Sequence, residues 1–407
     1  MTEYVAITGG AGYIGGIVAN SFLGSGSNVL ILDNLSEGNI QVVNALQKRY
    51  GKDRVLYRNV DITDYNALRE ACRVPINGFV DFAAKISVGE SQQKCLEYFQ
   101  TNNIGFLNLL LVAGDRPIVK SLTAAIYGTP RDGFLPLKET YHADIRAQGK
   151  GFKKSQLMQG AANLEEMLGW YKEHISGQHK WLGLTPEQII DSNVPTSVYG
   201  LTKLWDYFML QNREFYTGGK FIGLPYFNAA GALNSPELRL GEAHRIETHL
   251  IPTIFEAAMG GIHAVPVFGE KRKLRDYVDV KDLAEAHVLC FDSLLGNGES
   301  KVFNLGTGRQ YDTKDIMIAA AEIIGIPIPY MIVPDRAGDS RALAADTTAI
   351  QQALGWSATI PLRQMLTDAF KWQSNPPPEF QALMKNRFPT VPISLSQAKG
   401  KIRYIRQ

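Results

Sequence analysis

The chain has 407 residues, of which 45% are hydrophobic and 20% charged, and its formal net charge at pH 7 is +2. This length can bury one large core or two smaller ones, and a charge so close to zero gives no reason to expect a nucleic acid or membrane partner. No apolar run is long enough to span a bilayer, and the first residues do not resemble a signal peptide. The three cysteines are odd in number and widely spaced, which argues against a disulfide framework or metal cluster and favours a cytoplasmic location.

Short apolar runs alternate with helix-like segments through the first third of the chain. Five runs predict strands, at Tyr4–Thr8, Asn28–Leu32, Val55–Arg58, Gly78–Ala84 and Pro117–Leu122. Helical spacing is found at Tyr13–Leu23 and Tyr98–Val112. Strands that alternate with helices predict an α/β fold with a parallel sheet and right-handed crossovers.

Two regions depart from this alternation. Residues 131–190 are polar and lack strand-like runs, which indicates an insertion. Residues 375–407 begin with a proline-rich stretch and end in a basic one, which predicts a linker followed by a tail or docked arm. Between these regions, residues 205–374 mix helical segments with short strands such as Val302–Leu305, so we expect a substrate-binding domain there.

A glycine-rich turn at residues 8–16 reads Thr-Gly-Gly-Ala-Gly-Tyr-Ile-Gly-Gly and lies between a predicted strand and a predicted helix. It satisfies G-x-G-x-x-G through Gly10, Gly12 and Gly15, and G-x-x-G-x-x-G through Gly9, Gly12 and Gly15. Glycines let the backbone approach a pyrophosphate, and the following helix N-terminus offers free N–H groups and a partial positive charge. The turn therefore predicts a dinucleotide site.

Acidic residues follow the next two predicted strands. Asp33 lies where a carboxylate hydrogen-bonds the adenosine ribose hydroxyls. An acid at this position repels the 2′-phosphate of NADP, so NAD is the predicted cofactor. The pair Asp61-Ile62, after the third strand, suits a contact with adenine.

Tyr199 and Lys203 are four residues apart, so on a helix the phenol and the ammonium share one face. The spacing is common by chance, but after a dinucleotide loop it predicts alcohol oxidation, because hydride removal needs a base for the hydroxyl proton. Tyrosine titrates near pH ~10, and a nearby lysine and a positive nicotinamide ring push the phenol pKa towards neutrality. Thr123, after the fifth strand, is expected to share the substrate proton through its hydroxyl.

An ordered series of motifs resembles the extended short-chain dehydrogenase/reductase family, and within it the UDP-sugar 4-epimerases, over residues 1–130 and 195–372. The motifs include TGGAGYIGG at 8–16, DNL at 33–35, VGES at 88–91, YFQTNN at 98–103, TAAIYG at 123–128, YGLTK at 199–203, YFNAAGA at 226–232, ETHLIP at 247–252, RDYVDVKDLAEAH at 275–287, FNLGTG at 303–308 and RAGD at 336–339. The resemblance implies a Rossmann-type NAD-binding domain over residues 1–204, a smaller sugar-nucleotide-binding domain mainly over 205–374 with segments returning to the first, and a tail over 375–407.

The resemblance also implies roles for the matching positions. The residues implied to contact NAD are Gly9, Gly12, Tyr13, Ile14, Gly15, Asp33, Asn34, Asp61, Ile62, Phe82, Ala83, Asn102, Tyr199, Lys203 and Phe227. The residues implied to contact the UDP-sugar are Thr123, Asn228, Leu250, Phe268, Arg275, Arg336 and Asp339. Tyr199 would be the base and Lys203 its partner. The two arginines would hold the diphosphate, because a guanidinium binds phosphate oxygens in pairs.

The reaction that this resemblance implies is inversion of C4 in a UDP-sugar of the UDP-glucose and UDP-galactose type, through a transient 4-keto intermediate. NAD would be held throughout, no metal would be needed, and relatives form a homodimer through the helix around Tyr98–Val112. Leu343 stands where a tyrosine restricts the pocket to plain hexoses and a small residue admits N-acetyl sugars, so the hexose stays open.

Two positions depart from the family pattern. Lys85 comes one residue before the place where these epimerases carry a lysine, and Ile86 stands in that place. The insertion at 131–190 lies between Thr123 and Tyr199, so we expect it to cover the sugar pocket or to form a subunit contact.

Two other functions fit the same fold. A sugar-nucleotide 4,6-dehydratase or decarboxylase shares the cofactor and the tyrosine–lysine pair, but these enzymes place an acid just after the strand-five threonine. Here Ala124 and Ala125 follow Thr123, which favours epimerisation. A non-catalytic NAD-binding regulatory or scaffold protein is the second alternative, and the intact Tyr199, Lys203 and Thr123 argue against it.

Overall fold

The structure, a computed structural model, describes residues 2–130, 135–139, 195–335, 339–385, 388–389 and 402–405. Most of the predicted insertion therefore lies outside the described residues, and so does Arg336.

A seven-stranded parallel sheet forms the centre of the molecule. Its strands are β1 (Tyr4–Thr8), β2 (Asn28–Asp33), β3 (Val55–Asn59), β4 (Ile76–Asp81), β5 (Ile118–Thr123), β6 (Phe221–Tyr226) and β14 (Lys301–Val302). They lie in the order β14-β6-β5-β4-β1-β2-β3, which confirms the predicted Rossmann-type parallel sheet. The central strands are near-continuous apolar runs because both faces of the sheet are covered; Val29 and Leu32, for example, are fully buried.

Helices cover both faces of this sheet. Those in the first part of the chain are α1 (Tyr13–Gly24), α2 (Ile40–Tyr50), α3 (Tyr65–Ala71), α4 (Val88–Ser91), α5 (Cys95–Tyr98), α6 (Gly105–Ala113) and α7 (Val198–Thr217). The single helix predicted at Tyr98–Val112 is instead divided, because a π-helical segment, Phe99–Ile104, separates α5 from α6. The wider π turn places Asn102 and Asn103 as consecutive buried residues beside α7.

A second hydrophobic core lies in the later part of the chain and packs helices against a small sheet. The helices of this part are α8 (Leu250–Ala258), α9 (Val280–Leu295), α10 (Thr313–Ile324), α11 (Thr348–Leu354), α12 (Leu362–Ser374) and α13 (Pro378–Lys385). Its strands are β7 (Asn228–Ala230), β8 (Leu233–Asn234), β9 (Arg239–Leu240), β10 (Ile246–Glu247), β11 (Val265–Phe268), β12 (Leu274–Arg275), β13 (Tyr277–Asp279), β15 (Ile328–Val333), β16 (Ala342–Leu343), β17 (Phe388–Pro389) and β18 (Arg403–Ile405).

Segments from this later part also return to the central sheet. Strand β14 extends the sheet beyond β6, and α9 packs against α1, where the rings of Phe22 and Phe291 meet edge to face at 5.3 Å. Near the C-terminus, β18 pairs antiparallel with β15, so this short segment of the predicted basic tail is docked on the small sheet.

Candidate active site

Several of the predicted cofactor-binding and catalytic residues lie at one edge of the central sheet. Because all seven strands are parallel, their carboxyl ends meet at this edge, and the strand order reverses between β1 and β4. Such a reversal opens a crevice beyond the strand ends, where doubly wound sheets bind their ligands. The glycine turn follows β1, Asp33 ends β2, and Thr123 ends β5.

The glycine turn lies directly against the loop that follows β4. Gly9 has a φ of +66°, and a Cβ built on it would lie 2.9 Å from the backbone nitrogen of Ala83. Only glycine fits both this conformation and this close approach. The turn and the loop containing Phe82 and Ala83 therefore form the two sides of the crevice.

The first turn of α1 is open to an anion. Its N-cap residue, Gly12, has no side chain with which to cap the helix. By contrast, the side chains of Ser197, Asp279 and Asp312 cap α7, α9 and α10. With Gly15 in the first turn, the leading N–H groups of α1 fit a pyrophosphate.

The acids after β2 and β3 are held in place by hydrogen bonds. Asp33 accepts from the backbone N–H groups of Ala11 at 3.0 Å and Leu35 at 2.8 Å. Burial raises the Asp33 pKa, and these two donors oppose that shift. Asn34 donates to Asp61 at 2.9 Å, which joins the loops after β2 and β3.

Several residues predicted to contact NAD are anchored by the protein itself. The Tyr13 hydroxyl donates to the carbonyl oxygen of Gly231 at 2.7 Å, and the Phe82 ring lies 4.8 Å from that of His287. Ile14 is half-buried against the core on one face of the sheet, whereas Ile62 is buried in the core on the other face.

Asn102 holds the loop after β4 against α7. Its amide oxygen accepts from the Lys85 backbone N–H at 2.8 Å, and its amide nitrogen donates to the Lys85 carbonyl at 3.1 Å and to the Thr202 hydroxyl at 2.9 Å. These bonds give Asn102 a positioning role within the protein. The Lys85 ammonium, one residue out of the family register, pairs with Glu97 at 3.1 Å.

Helix α7 brings Tyr199 to Thr123. The Thr123 side chain lies close enough to the phenol to lower the Tyr199 pKa, but burial has the larger effect and raises that pKa to about 12. A Cβ on Gly200 would lie 2.6 Å from the Ala125 carbonyl oxygen, so only glycine lets α7 pack so closely on the 3₁₀ turn after Thr123. The two predicted catalytic hydroxyls are thus brought together.

Lys203 lies one turn further along α7 and is almost fully buried. Its ammonium donates to the carbonyl oxygen of Ser121 in β5 at 3.1 Å. Burial, and then the neighbouring Lys120, lowers the Lys203 pKa to about 7. The phenol and the ammonium of the pair therefore lie beside the same strand end.

Tyr226 also reaches this place, although the sequence did not single it out. Its hydroxyl lies 2.6 Å from the Ser121 hydroxyl, and Tyr199 is close enough to raise its pKa, to which burial contributes more. The available signal was its position as the last residue of β6, the strand beside β5.

Two of the residues predicted for the nucleotide diphosphate and ribose, Arg275 and Asp339, are in contact. The Arg275 guanidinium donates to Asp339 and to the Ser340 carbonyl oxygen, the latter at 2.7 Å. Lys273, which the sequence did not single out, lies 2.8 Å from both Asp335 and Asp339. Burial tends to raise the Asp339 pKa, but Arg275 and Lys273 hold it below its usual range.

The residues predicted for the sugar and uracil ends come from separate elements. Phe227 and Leu343 are buried in one apolar cluster with Leu137, which belongs to the described start of the predicted insertion. Asn228 donates its amide to the Asp276 carbonyl at 2.9 Å. Leu250 begins α8 and Phe268 ends β11, and both are half-buried.

Two histidines and two glutamates form a charged cluster before α8. Glu242 lies 2.5 Å from His249 and 3.4 Å from His244, and Glu247 lies 3.3 Å from His249. The His249 side chain is 46% exposed; partial desolvation works against its charge, yet the glutamates raise its pKa well above the ordinary value. The ligand atoms of Glu242, His244 and His249 are within 4.8 Å of one another, a spacing that a metal ion would also fit, but the ion pairs account for the arrangement.

Within the described part of the chain, no helix combines the length and apolar character needed to cross a membrane.

Comparison with known proteins identifies the family. The sequence profile of the family described as GDP-mannose 4,6 dehydratase matches residues 6–146 and 185–369. The UDP-glucose 4-epimerase of Lacticaseibacillus casei is 31% identical over 92% of this chain and 98% of its own length, and that of Halalkalibacterium halodurans is 31% identical over 94% and 99%. The crystal structure of the Bifidobacterium longum UDP-glucose 4-epimerase, in complex with NAD+ and UDP, has a TM-score of 0.74 at 28% identity and covers 93% of this chain and 100% of its own.

The fold and the site define an α/β protein with a Rossmann-type dinucleotide crevice beside a tyrosine–lysine pair. The chain belongs to the extended short-chain dehydrogenase/reductase family, in the branch that resembles UDP-glucose 4-epimerase.

Proposed function

We propose that the protein is an NAD-dependent epimerase that inverts C4 of a UDP-sugar of the UDP-glucose and UDP-galactose type. The observation that carries this proposal is the contact of Tyr199 with Thr123 at the carboxyl edge of the sheet, beside buried Lys203. The near full-length similarity to UDP-glucose 4-epimerases supports the same reaction.

The crevice fits NAD. The close approach that Gly9 permits and the side-chain-free cap at Gly12 suit a pyrophosphate, and Asp33 lies at the end of the next strand for the ribose hydroxyls. A carboxylate there disfavours the 2′-phosphate of NADP. Bound NAD supplies the acceptor, and afterwards the donor, of the hydrogen on C4.

Three side chains of this chain handle the proton. Tyr199 accepts the proton of the sugar 4-hydroxyl, and the hydroxyl of Thr123, which lies beside the phenol, orients that substrate hydroxyl. Lys203 places a positive charge near the phenolate, which stabilises it. After the 4-keto sugar has turned in the pocket, Tyr199 returns the proton on the same path.

Binding energy comes from the nucleotide rather than from the reacting ring. Arg275, with Arg336, is assigned to the diphosphate, Asp339 to the nucleotide ribose, and Leu250 and Phe268 to the uracil. Among the described residues, Lys273 adds a second cation beside Arg275, since both contact Asp339. Firm attachment of the nucleotide leaves the sugar free to turn, which inversion of C4 requires.

Dehydration is the second candidate function, because the matching family profile is named after a 4,6-dehydratase. Elimination needs an acid or base for the neighbouring carbons. The two residues that follow Thr123 in the 3₁₀ turn are Ala124 and Ala125, so no acid stands at that place. The site therefore favours epimerisation.

We further propose that the enzyme is a cytoplasmic homodimer. Leu107 and Leu111 of α6 are 42% and 61% exposed, and Phe215 and Tyr216 near the end of α7 are 81% and 79% exposed. An apolar surface on two helices suits a second copy of this chain. Sedimentation analysis at micromolar concentration tests the dimer, and a monomer would refute it.

The predicted insertion is assigned to the sugar pocket or a subunit contact, and its deletion tests both.

The decisive experiment supplies purified protein with UDP-glucose or UDP-galactose, without added NAD, and follows inversion at C4. We expect each sugar to form the other. Loss of water or carbon dioxide from the sugar would instead support the dehydratase or decarboxylase, and absence of any turnover by protein that retains NAD would support a scaffold role.

A further inference from the structure

Two aspartates and a second lysine are buried behind the predicted catalytic pair. Lys120 of β5 donates to Asp81 of β4 and lies 3.0 Å from a carboxylate oxygen of Asp206 in α7. All three side chains have 0% exposure. Burial costs several kcal/mol for each ion, and apolar side chains of similar volume are often as stable or more so. Stability alone therefore gives no reason for this cluster.

Each charged group in the cluster is fixed by further contacts. Asp81 accepts from the Thr8 hydroxyl, and Asp206 accepts from the Asn103 amide at 2.9 Å. The Lys120 ammonium lies 3.9 Å from the centre of the Phe106 ring. The three charged groups come from β4, β5 and α7, and residues of β1, the π-helical segment and α6 hold them in fixed positions.

The cluster touches the catalytic pair directly. Lys120 precedes Ser121, whose carbonyl oxygen accepts from Lys203, and Asp206 is three residues after Lys203 on the same helix face. The Lys120 and Lys203 ammonium groups are close neighbours. Two aspartates and two lysines are therefore grouped beside the Tyr199 phenol.

We propose that Lys120, held between Asp81 and Asp206, is a positioning residue that sets, through Lys203, the pH at which Tyr199 accepts the substrate proton. This inference rests on the proposed function, because it takes Tyr199 and Lys203 as the proton-transfer pair. Removal of the Lys120 charge leaves one excess negative charge near the pair, so the pair keeps its proton to higher pH. Removal of the Asp206 charge leaves one excess positive charge and has the opposite effect.

Other titratable groups also lie on the elements that pack against α7 and β5. They are Tyr226 of β6, Tyr127 of the 3₁₀ turn, Cys95 and Tyr98 of α5, and Glu90 of α4. Burial raises the pKa of all three tyrosines, so they stay neutral around pH 7. Glu90 pairs with Lys94 at 2.8 Å on the partly exposed side, which offsets its charge. The balance beside Tyr199 thus depends on the buried lysines and aspartates.

The test measures kcat for C4 inversion of UDP-galactose as a function of pH. It compares Lys120→Met, Asp206→Asn, the double variant and Lys120→Arg with the wild type. We expect the acidic limb to move up by about one pH unit in Lys120→Met and down by about one pH unit in Asp206→Asn. The double variant restores charge balance and returns the limb to the wild-type position. Lys120→Arg keeps the charge and leaves the limb in place.

The matched control is Lys220→Met, which removes an exposed lysine paired with Glu214 and leaves the limb unmoved. The position of the limb does not depend on the folded fraction, and thermal unfolding and retained NAD verify each preparation. If Lys120→Met does not fold, Asp206→Asn and the double variant still decide the question. Limbs that stay in place, or shifts of one sign in both single variants, overturn the inference. Wild-type protein that does not invert C4 would instead overturn the proposed function.

Discussion

The Lys203 ammonium donates to the Ser121 carbonyl oxygen at 3.1 Å, and this bond ties α7 to β5 where Thr123 ends the strand. The same strand end carries the Thr123 hydroxyl, which lies beside the Tyr199 phenol. Because a strand and a helix distant in sequence are joined here, the positions of phenol, hydroxyl and ammonium depend on one another. The site therefore behaves as one unit, and single substitutions in it are expected to act on the rate of chemistry.

Replacement of Tyr199 by phenylalanine removes the proposed base and preserves the ring. We expect kcat for C4 inversion to fall by about 100- to 10,000-fold, while thermal unfolding and NAD content stay close to wild type. Tyr207→Phe is the matched control, since Tyr207 lies on the same helix and its hydroxyl bonds the exposed Gln211. A Tyr199→Phe enzyme with near wild-type kcat would exclude the phenol as the base.

Thr123 is expected to act through its hydroxyl. Thr123→Val keeps the shape but removes the hydroxyl beside the Tyr199 phenol, so kcat falls by about 10- to 100-fold, whereas Thr123→Ser keeps most of the activity. Steady-state kinetics with UDP-galactose measures both variants. Equal losses in the two variants would indicate a packing role for the methyl group instead.

Asp33 is expected to choose between the two nicotinamide cofactors. Asp33→Asn removes the charge that repels a 2′-phosphate, so the ratio of NAD to NADP affinity falls by about tenfold or more. Titration of cofactor-free protein with each dinucleotide measures this ratio. Glu37→Gln, an exposed acid in the same loop, is the control and should leave the ratio unchanged.

Leu343 is expected to limit the size of the sugar. It is buried beside Phe227 and Tyr127. Leu343→Ala therefore leaves more space among these side chains, and Leu343→Tyr fills that space. We expect the ratio of kcat/KM for UDP-N-acetylglucosamine over UDP-glucose to rise by about tenfold or more in the alanine variant and to fall in the tyrosine variant. The ratio is measured within each variant, so differences in folded fraction cancel. Unchanged ratios would place the N-acetyl group elsewhere.

The ion pairs of Glu242 make stability depend on pH. Burial tends to raise the Glu242 pKa, but His249 and His244 lower it overall, and the His249 pKa is raised. Because the pKa of Glu242 is lowered in the folded protein, this carboxyl contributes stability above its unfolded pKa of ~4.3. Because the pKa of His249 is raised, this histidine contributes stability below its unfolded pKa of ~6.5, and the contribution is lost as the pH rises through the folded pKa.

We therefore expect Glu242→Gln to destabilise the protein by about 1–3 kcal/mol near pH 6, and by less as the pH approaches 10. Chemical unfolding at a series of pH values measures the difference. The control, Glu237→Gln, alters an exposed acid paired with Arg49 and should have little effect. A loss that is constant across the series would show that the histidine charge does not contribute.

Local patterns were enough to predict the fold class, and they are the basis of the predictions for most of the cofactor side. Each of these patterns lies within a few residues and depends on local backbone structure. The glycines form a tight turn before a helix, Asp33 ends a strand, and the spacing of Tyr199 and Lys203 places both on one helix face. A parallel sheet then brings all such strand ends to one edge, so the place of the crevice followed from the alternation of strands and helices.

Tertiary structure decided the parts that depend on contacts between distant segments. Lys120 interrupts an apolar strand, yet its partners Asp81 and Asp206 come from another strand and from a helix beyond the predicted insertion. Likewise, the Lys273–Asp339 contact and the π-helical turn at Phe99–Ile104 have no local signature, and the strand-end position of Tyr226 does not reveal its contact with Ser121. The physical reason is that the role of a buried charge or hydroxyl depends on the group that it contacts in low-dielectric surroundings. Only the folded chain determines which group that is.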